Sequence, residues 1–427
     1  MVIKKYKLSD VAKVEISSVD KKTKDCETPV KLCNFTDVYH NWAITTEMAD
    51  NFMKATANAK EIEKFTIRKG QVAFTKDSET RDDIGIPTYI ADDFENVLLG
   101  YHCALITPDE SKISGKYLNA FMHSAYIQKY FELNATGSGM RYTLSLETLQ
   151  SMPLLLPSLE EQEAIGNLFS SIDRKIALNR SINQNLEALA KQLYDYWFVQ
   201  FDFPDENGRP YKSSGGAMVW NDGLNKYIPN YWNVLKLSDL LREDRVKQIN
   251  PQDNPNKVFR HLSFPSLDAC GSFYEEKGEN IKSNKIVVKD EYVLAAKLNP
   301  WIKRIAWGTT DEDLICSTEF VVLNPYDKNL KAFLFLLVNQ KPFIDYCTSS
   351  STGTSHSQRR VKPDIMKLYK FPYNEKVAQE FSKQVLPIIE ITKKNNEQNR
   401  ELAMQRDKLL PLLMNGQVSL NSDLSNG

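Results

Sequence analysis

The chain has 427 residues, of which 42% are hydrophobic and 26% are charged, as is usual for a soluble globular protein. This length is too great for one hydrophobic core, so we expect two to four domains. The net charge of −1 shows no overall excess of basic residues, so any nucleic-acid-binding surface must be local.

The cysteines and the hydropathy pattern bear on where the protein is found. The six cysteines never form a C-x-x-C pair, which argues against a zinc ribbon or a disulfide framework and is typical of reduced thiols. No apolar run approaches the length of a membrane span, and the basic, then polar start of the chain does not resemble a signal peptide. We therefore expect a cytoplasmic protein that makes no contact with a membrane.

The first half of the chain is predicted to hold a globular domain followed by a long helix. Short apolar runs at 71–76 and 97–106 predict strands, and the segment 115–131 predicts helical pieces, so residues 1–157 form an α/β domain. Pro157 and Ser158 precede LEEQ, which is a favourable helix start with acidic residues in the first turn. The helix is predicted over residues 158–200.

The second half repeats this plan after a connector. Residues 201–230 are rich in Pro, Gly, Asn and Asp, which is typical of a connector with turns. Residues 231–372 carry strand-like runs at 290–298 and 319–325 and predict a second α/β domain. A second long helix is predicted over 373–415, with a kink or break near Pro387, and residues 416–427 form a tail.

Short sequence matches in a fixed order indicate a tandem duplication. KLSD occurs at 7–10 and at 236–239, an offset of 229 residues. GYHCALITP at 100–108 aligns with CSTEFVVLNP at 316–325, and a Thr-Gly pair recurs at 136–137 and 352–353. Two copies predict a pseudo-twofold molecule and not a solenoid. The predicted fold class is therefore an α/β (α+β) domain in tandem duplication, with two long helices between the copies.

The long helices carry an apolar seam that includes asparagines. Positions 165, 169, 172, 176, 179, 183, 186, 190, 193 and 197 alternate by four and three, which predicts a coiled coil. The seam contains Asn179 and Asn183, and the positions 216 residues later hold Asn395 and Asn399. A buried amide is tolerated when it meets another amide, so these asparagines are predicted to fix the register. The alternative is that they lie at the solvent edge of the seam.

Pseudo-twofold symmetry requires the two helices to run antiparallel. The predicted pairs are Asn179 with Asn399, Asn183 with Asn395, Phe169 with Leu409, Ile176 with Leu402 and Leu193 with Val385. An antiparallel pair of helices of about 40 residues each would place the two domains at opposite ends of a rod of roughly 60 Å. A parallel pair would place both domains at the same end.

No motif for catalysis, a cofactor or a metal is found in the sequence. GK at 115–116 lacks the glycine of a phosphate-binding loop, GSGMR at 137–141 does not follow a strand, and the five histidines have no paired spacing. Asn299-Pro300-Trp301 is similar to the base-holding motif of amino-methyltransferases, but the second proline and a Gly-rich cofactor loop are missing. A turn after the preceding strand is the simpler interpretation.

Polar and basic residues collect in two pairs of Gly- or Ser-rich loops. Arg and Gln match the edges of guanine and adenine, while Lys and hydroxyl groups match phosphates, so these loops are candidates for DNA contact. The first copy supplies Lys76, Arg81, Ser138, Arg141 and Tyr142. The second copy supplies Lys297, Asn299, Lys303, Arg304, His356, Gln358, Arg359, Arg360 and Lys362.

The chain resembles the specificity subunits of type I restriction–modification systems. The resemblance is carried mainly by PLLLPSLEEQEAIGNLFSSIDRKIALNRSINQNLEALAKQLYDYWFVQFDFPDENGRPYKSSGGAMVW at 153–220. The segments 228–240, 293–307, 317–323 and 408–418 are also similar to that family. The first domain departs from the pattern, because its opening lacks the Pro-x-x-Trp found at Pro229 and Trp232.

The resemblance implies a function and a set of partners. The two globular domains would be target-recognition domains, each reading half of a bipartite, asymmetric sequence in double-stranded DNA. The two long helices would dock two modification subunits, which bind S-adenosylmethionine and methylate adenine. Restriction subunits, which use ATP and Mg²⁺, would complete the nuclease. The chain itself would be a non-catalytic reader without a cofactor of its own.

Two other classes of function stay open at this stage. One is a self-contained DNA adenine methyltransferase that uses Asn299-Pro300-Trp301, although no cofactor-binding βαβ unit is visible in the sequence. The other is a coiled-coil scaffold with two protein-binding heads, which would agree with the near-neutral net charge.

Overall fold

The computed structural model describes residues 3–139, 141–243, 245–311, 313–353 and 358–420. Residue contacts divide it into two compact units, Met1–Leu178 with Gln398–Gly427, and Asn179–Glu397. Each long helix therefore contributes one part to each unit. Within the described residues, no helix combines the length and the apolar character that a membrane crossing requires.

In the described part of the chain, the first unit contains strands from four sheets, six helices or helical parts that precede residue 179, and the end of the second long helix. Its strands are β1 (Lys4–Lys7), β2 (Ala12–Ile16), β3 (Thr28–Cys33), β4 (Ala43–Ile44), β5 (Met53–Ala57), β6 (Val72–Thr75), β7 (Asp77–Ser78), β8 (Pro87–Ile90), β9 (Val97–Leu99), β10 (Cys103–Pro108), β11 (Thr136–Ser138), β12 (Arg141–Thr143) and β13 (Pro153–Leu156). Its helices are α1 (Phe35–His40), α2 (Ala59–Phe65), α3 (Gly115–Met122), α4 (Ala125–Asn134), α5 (Leu146–Gln150) and the first part of α6 (Leu159–Tyr194).

The sheets of the first unit explain its apolar runs. The five-stranded sheet has the order β2-β10-β6-β8-β4, and every residue of β6 and β8 is buried, as continuous apolar runs predict for strands covered on both faces. A three-stranded sheet has the order β5-β3-β9, and β1 pairs with β13. The small sheet β11-β12-β7 carries most of the first copy's candidate DNA contacts.

The second unit begins within α6, which continues as one π-helical turn, Asp195–Val199. Its strands are β14 (Met218–Asn221), β15 (Lys226–Pro229), β16 (Asn233–Lys236), β17 (Gln248–Ile249), β18 (Val258–Leu262), β19 (Tyr274–Lys277), β20 (Lys285–Val287), β21 (Val293–Ala296), β22 (Ile305–Trp307), β23 (Leu314–Ser317), β24 (Phe320–Leu323) and β25 (Lys370–Tyr373). Its helices are α7 (Phe264–Cys270), α8 (Lys331–Val338), α9 (Lys341–Ser349), α10 (Pro363–Lys367) and the first part of α11 (Glu375–Met414).

The second unit repeats the pairing scheme of the first. After the β14–β15 hairpin, strand β16 pairs with the last strand, β25, as β1 pairs with β13, and β24-β21-β22 corresponds to β10-β6-β8. The parallel pair β18–β23 corresponds to β3–β9. Helices α8, α9 and α10 begin 216 to 217 residues after α3, α4 and α5. The structure therefore confirms two copies of one α/β domain.

The repeated KLSD motif has the same local geometry in both copies. The backbone N–H of Lys7 donates to Asp10 at 2.9 Å, and that of Lys236 donates to Asp239 at 2.8 Å. Each aspartate thereby caps the short 3₁₀ turn that follows the first strand of its domain.

The predicted connector is part of the second unit and packs into its core. Phe201 and Phe203 are buried and their rings lie against Trp232, at centroid distances of 5.4 and 5.1 Å. Strands β14 and β15 form a hairpin within the same segment. The connector is turn-rich, as its composition predicts, but it contributes to the core because its aromatic residues have a hydrophobic surface to cover.

The second long helix is continuous, so the predicted break at Pro387 is wrong. Helix α11 runs through this position, and Pro387 itself is exposed. The neighbouring Val385 and Ile389 are buried in the core of the second unit. Their packing outweighs the loss of one backbone hydrogen bond at the proline, which costs about 3 kcal/mol in an isolated helix.

The helix seam is buried as its spacing predicts. In the first unit, Phe169 and Ile176 of α6 share a core with Leu402 and Leu409 of α11. In the second unit, Leu193 of α6 shares a core with Val385. The early part of α6 thus packs with the late part of α11, and the late part with the early part, which makes the pair antiparallel.

Two asparagines of the first helix lie buried in the seam, and one of them is paired with amides of the second helix. Asn179 and Asn183 are only 1% and 6% exposed, which excludes a position at the solvent edge. The side chain of Asn183 accepts from Asn395 at 2.8 Å and donates to Asn396 at 2.8 Å. Asn183 and Asn395 are the pair that the antiparallel register requires, while Asn179 and Asn399 belong to different units.

Candidate nucleic-acid interface

The first copy's polar loop is organised around the carboxylate of Asp77. This residue begins β7, where the chain leaves the buried strand β6. Asp77 accepts hydrogen bonds from Lys76 Nζ at 2.8 Å and from Arg141 Nη2 at 2.7 Å, and it lies 2.8 Å from Nδ1 of His102. Arg141 reaches it from β12, and His102 from the turn between β9 and β10.

Burial and hydrogen bonding act on Asp77 in opposite directions. Desolvation alone would raise the pKa of this carboxyl group, but hydrogen bonds from His102, Lys76, Thr143 and Arg141 together lower the pKa far below its usual range. Asp77 is therefore ionised at every physiological pH. Its buried charge fixes the cationic groups that surround it.

Two further candidate residues join this cluster. The guanidinium of Arg81 lies over the ring of Tyr142, 5.1 Å from its centroid. Such cation–π contacts orient an arginine at a surface. The backbone of Ser138 pairs with that of Arg141 across the β11–β12 hairpin, and its side chain is not described.

In the second copy, Asn299 holds the segment that carries Arg359. The backbone N–H of Asn299 donates to the carbonyl of Arg359 at 2.8 Å, and its side-chain oxygen accepts from the N–H of Arg359 at 3.1 Å. Asn299 has a φ of 49°, a left-handed conformation that asparagine tolerates better than most residues. The guanidinium of Arg359 donates to the carbonyl of Ser351 at 2.7 Å.

Two other cationic residues of the second copy lie beside this segment. Arg360 contacts the carboxylate of Glu319 through Nε at 3.1 Å and Nη2 at 3.4 Å. Lys297 donates from Nζ to the carbonyl of Thr318 at 2.9 Å. The structure therefore brings Lys297, Asn299, Arg359 and Arg360 together.

Backbone hydrogen bonds show that the two clusters are built on one scaffold. The N–H of Lys76 donates to His102 at 3.1 Å, and that of Lys297 donates to Glu319 at 3.0 Å. The carbonyls of the same two lysines accept from Leu144 at 2.9 Å and from Val361 at 3.0 Å. These contacts assign His102 to the position of Glu319, with Lys76 at the position of Lys297.

In both clusters, the glycine of the Thr-Gly pair lies very close to a backbone carbonyl of the facing segment. A Cβ at Gly137 would lie 2.1 Å from the carbonyl oxygen of Arg141, and a Cβ at Gly353 would lie 2.6 Å from that of Gln358. Both glycines therefore allow the hairpin to close. Because the two carbonyls are equivalent, Arg141 occupies the same scaffold position as Gln358.

Other candidate residues lie outside the clusters. Arg304 makes two hydrogen bonds to Asp268, at 2.8 and 2.5 Å, and its guanidinium stacks over the ring of Phe264 at 4.6 Å. Its side chain is only 10% exposed, so this geometry gives Arg304 a role in the fold. Lys303, Gln358 and Lys362 are exposed, and His356 lies outside the described residues.

Asn299-Pro300-Trp301 lies in the turn that follows β21. Asn299 is occupied with the backbone of Arg359, and Trp301 is exposed. Among the residues that the structure describes, no group of three or more His, Cys, Asp or Glu side chains could hold a metal ion.

Asp77, His102 and Glu319 complete the clusters and were not identified from the sequence. Acidic residues are not expected at a surface that binds an anion. Aligning the two copies does place His102 opposite Glu319, but the pairing of either residue with a loop arginine depends on the fold. The cluster can present cations and amides to a ligand while its own carboxylates stay neutralised.

Comparisons with known proteins relate the chain to one family. Residues 3–188 match the family described as Type I restriction modification DNA specificity domain, so this part of the chain carries that domain. The specificity subunit of the type I restriction enzyme HindI from Haemophilus influenzae is 23% identical over 91% of this chain and 94% of its own length. The specificity subunit of the MjaIX enzyme from Methanocaldococcus jannaschii is 26% identical over 73% of this chain and 71% of its own. The chain is thus similar over most of its length to type I restriction–modification specificity subunits.

A solved structure of another specificity subunit supports the fold. The crystal structure of the type I restriction–modification S subunit from M. genitalium has a TM-score of 0.60 to this chain, at 14% sequence identity. The match covers 96% of both chains. The tandem α/β architecture with long helices is therefore a fold that this chain shares with that solved structure.

Proposed function

We propose that this chain is the DNA-reading subunit of a type I restriction–modification complex. Each of its two domains reads one half of a bipartite, asymmetric site in double-stranded DNA. The observation that carries this proposal is the pair of hairpins built on one scaffold with different side chains. Arg141 and Gln358 occupy one equivalent position, and Tyr142 and Arg359 occupy the next.

This difference has direct consequences for the bases read. Arginine forms a bidentate contact with the O6 and N7 atoms of guanine, whereas glutamine forms one with the N6 and N7 atoms of adenine. The two domains would thus place different recognition chemistry at the same point of similar surfaces. One lysine ammonium group lies at the base of each hairpin, that of Lys76 in the first copy and that of Lys297 in the second. These groups are suited to phosphate contacts.

The partners follow from a second apolar stripe on the first long helix. Ile182 and Leu189 of this helix, with Tyr196 and Val199 of the π-helical turn that continues it, are between 36% and 54% exposed, and the first two flank the seam. We propose that this stripe, together with its counterpart helix, docks two modification subunits. Those subunits would supply S-adenosylmethionine-dependent methylation, and restriction subunits would supply ATP- and Mg²⁺-dependent cleavage. The specificity chain would not catalyse either reaction.

Methylome sequencing of a host with and without this gene tests the proposal. A bipartite motif should be methylated only when the gene is present. Arg141→Ala should weaken methylation through one half-site, and Gln358→Ala through the other, each by about 1–3 kcal/mol for a lost bidentate contact. Arg209→Ala, which removes an exposed connector arginine paired with Asp205, serves as the matched control. Unchanged motifs and rates in both hairpin variants would exclude these loops as the readers.

A further inference from the structure

Each hairpin carries an arginine that a more deeply placed carboxylate holds. In the first copy, Asp77 is 7% exposed and Arg141 is 59% exposed. In the second copy, Glu319 is 27% exposed and Arg360 is 44% exposed. In both pairs the acid lies inside and the guanidinium lies outside, where a ligand can reach it.

The two pairs are not copies of the same residues. Leu298 occupies the position of Asp77, and Glu319 occupies the position of His102. The arginine has also changed place, because Arg360 corresponds to Thr143, two residues after Arg141 on the same strand. Residues two apart on a strand point to the same face. The arrangement of arginine over carboxylate therefore recurs with different residues on the same side of each hairpin.

In the first copy, the carboxylate of Asp77 has hydrogen-bonding partners even without Arg141. Asp77 already accepts from Lys76 and contacts His102, so Arg141 adds a third partner to a carboxylate that is paired without it. Exposed ion pairs also add little to stability. Both contacts of the Arg141 guanidinium to this cluster are made by one atom, Nη2. The carboxylate thus restrains the arginine while using a small part of its donor capacity.

We propose that Asp77 and Glu319 are positioning residues for DNA reading, an inference that rests on the proposed function. Each carboxylate holds its arginine in one orientation before DNA arrives. Less side-chain entropy is then lost when the guanidinium meets a base edge or a phosphate. The carboxylate also repels any DNA phosphate that approaches it without the arginine between them. This repulsion favours the DNA register in which the arginine neutralises the carboxylate and the phosphate together.

A pair of double-mutant cycles tests this inference. Full-length chain, co-expressed and purified with its modification subunits, is titrated against a duplex with the methylome-defined site and against duplexes with one half-site scrambled. Arg141→Ala should weaken binding through the first half-site roughly 10- to 100-fold. Asp77→Asn should weaken the same half-site by about 3- to 30-fold in the wild-type background.

The decisive measurement is Asp77→Asn in the Arg141→Ala background, where we expect a further change of less than about twofold. The cycle of Glu319→Gln with Arg360→Ala should behave in the same way at the second half-site. The intact half-site in each variant reports that the protein is folded. Asp77→Asn should also relax the preference at the base pair read by Arg141.

The outcomes separate the two proposals. Additive losses, or equal losses at both half-sites, would show that the carboxylates only stabilise the fold and would overturn the inference. A loss with Arg141→Ala but none with Asp77→Asn would overturn the inference and leave the reading function intact. No effect of Arg141→Ala and Arg360→Ala on either half-site would overturn the assignment of these hairpins as readers.

Discussion

The hairpin of β11 and β12 can close only because Gly137 has no Cβ atom. This residue has a φ of +137°, and a Cβ would lie 2.1 Å from the carbonyl oxygen of Arg141, where ordinary contact begins at 3.4 Å. In Gly137→Ala the oxygen must retreat by about 1.3 Å, the difference of these two distances. A shift of this size removes the bidentate geometry of the Arg141 guanidinium, so affinity through the first half-site should fall by about 1–3 kcal/mol.

Gly139 in the same hairpin provides the matched control. It also has a positive φ, +63°, but a Cβ there would meet no atom within 4 Å. Gly139→Ala should therefore cost only the left-handed conformation, about 1–2 kcal/mol of folding free energy, with little change in DNA affinity. Both variants are titrated against duplexes with either half-site scrambled. Wild-type affinity of Gly137→Ala, or equal losses in the two variants, would refute the assignment of this hairpin to DNA reading.

Three further predictions concern the helix pair, pH and the cofactor. Asn183→Ala and Asn395→Ala should be non-additive by roughly 1 kcal/mol, measured from hydrogen exchange along the first long helix, and additive losses would contradict the amide pair. Burial lowers the pKa of His123, whose ring stacks on Trp42, to about 3. As the pH falls below about 6.5, this histidine is protonated in the unfolded chain but not in the folded one, so the free energy of unfolding decreases. At pH 5 the loss is about 2 kcal/mol, and His123→Phe should abolish this part of the acid shift in the urea midpoint. Calorimetry on the purified chain should detect no stoichiometric S-adenosylmethionine binding.

The helix pair was predictable because its information is local and periodic. A seam spaced by four and three residues specifies which face is buried, and the pseudo-twofold relation between the two copies specifies an antiparallel register. The same relation matches Asn183 to Asn395. The helix does not break at Pro387, because propensity describes an isolated helix, whereas the packing of Val385 and Ile389 decides the outcome in the protein.

The clusters were only partly predictable because their contacts join distant parts of the chain. The candidate set contained the hairpin arginines, but Asp77 meets Arg141 across 64 residues, and Glu319 meets Arg360 across 41. Arg304 was grouped with the readers by sequence proximity, although Asp268, 36 residues away, binds it. Sequence composition identifies the chemistry of a loop, and tertiary pairing decides which of its side chains are free to act.

The two hairpins suit the proposed use of one domain for two different DNA sequences. Their shape is set by glycines and by backbone hydrogen bonds, such as those made by Lys76 and Lys297, and such bonds form regardless of the side chains attached. Side chains on the exposed face can therefore change, as between Arg141 and Gln358, without loss of the contacts that close the hairpin. The carboxylate that supports each arginine has changed position together with its partner. In the proposed function, specificity would therefore be carried by side chains on a shared backbone scaffold, which would let the two domains read different half-sites while they share one fold.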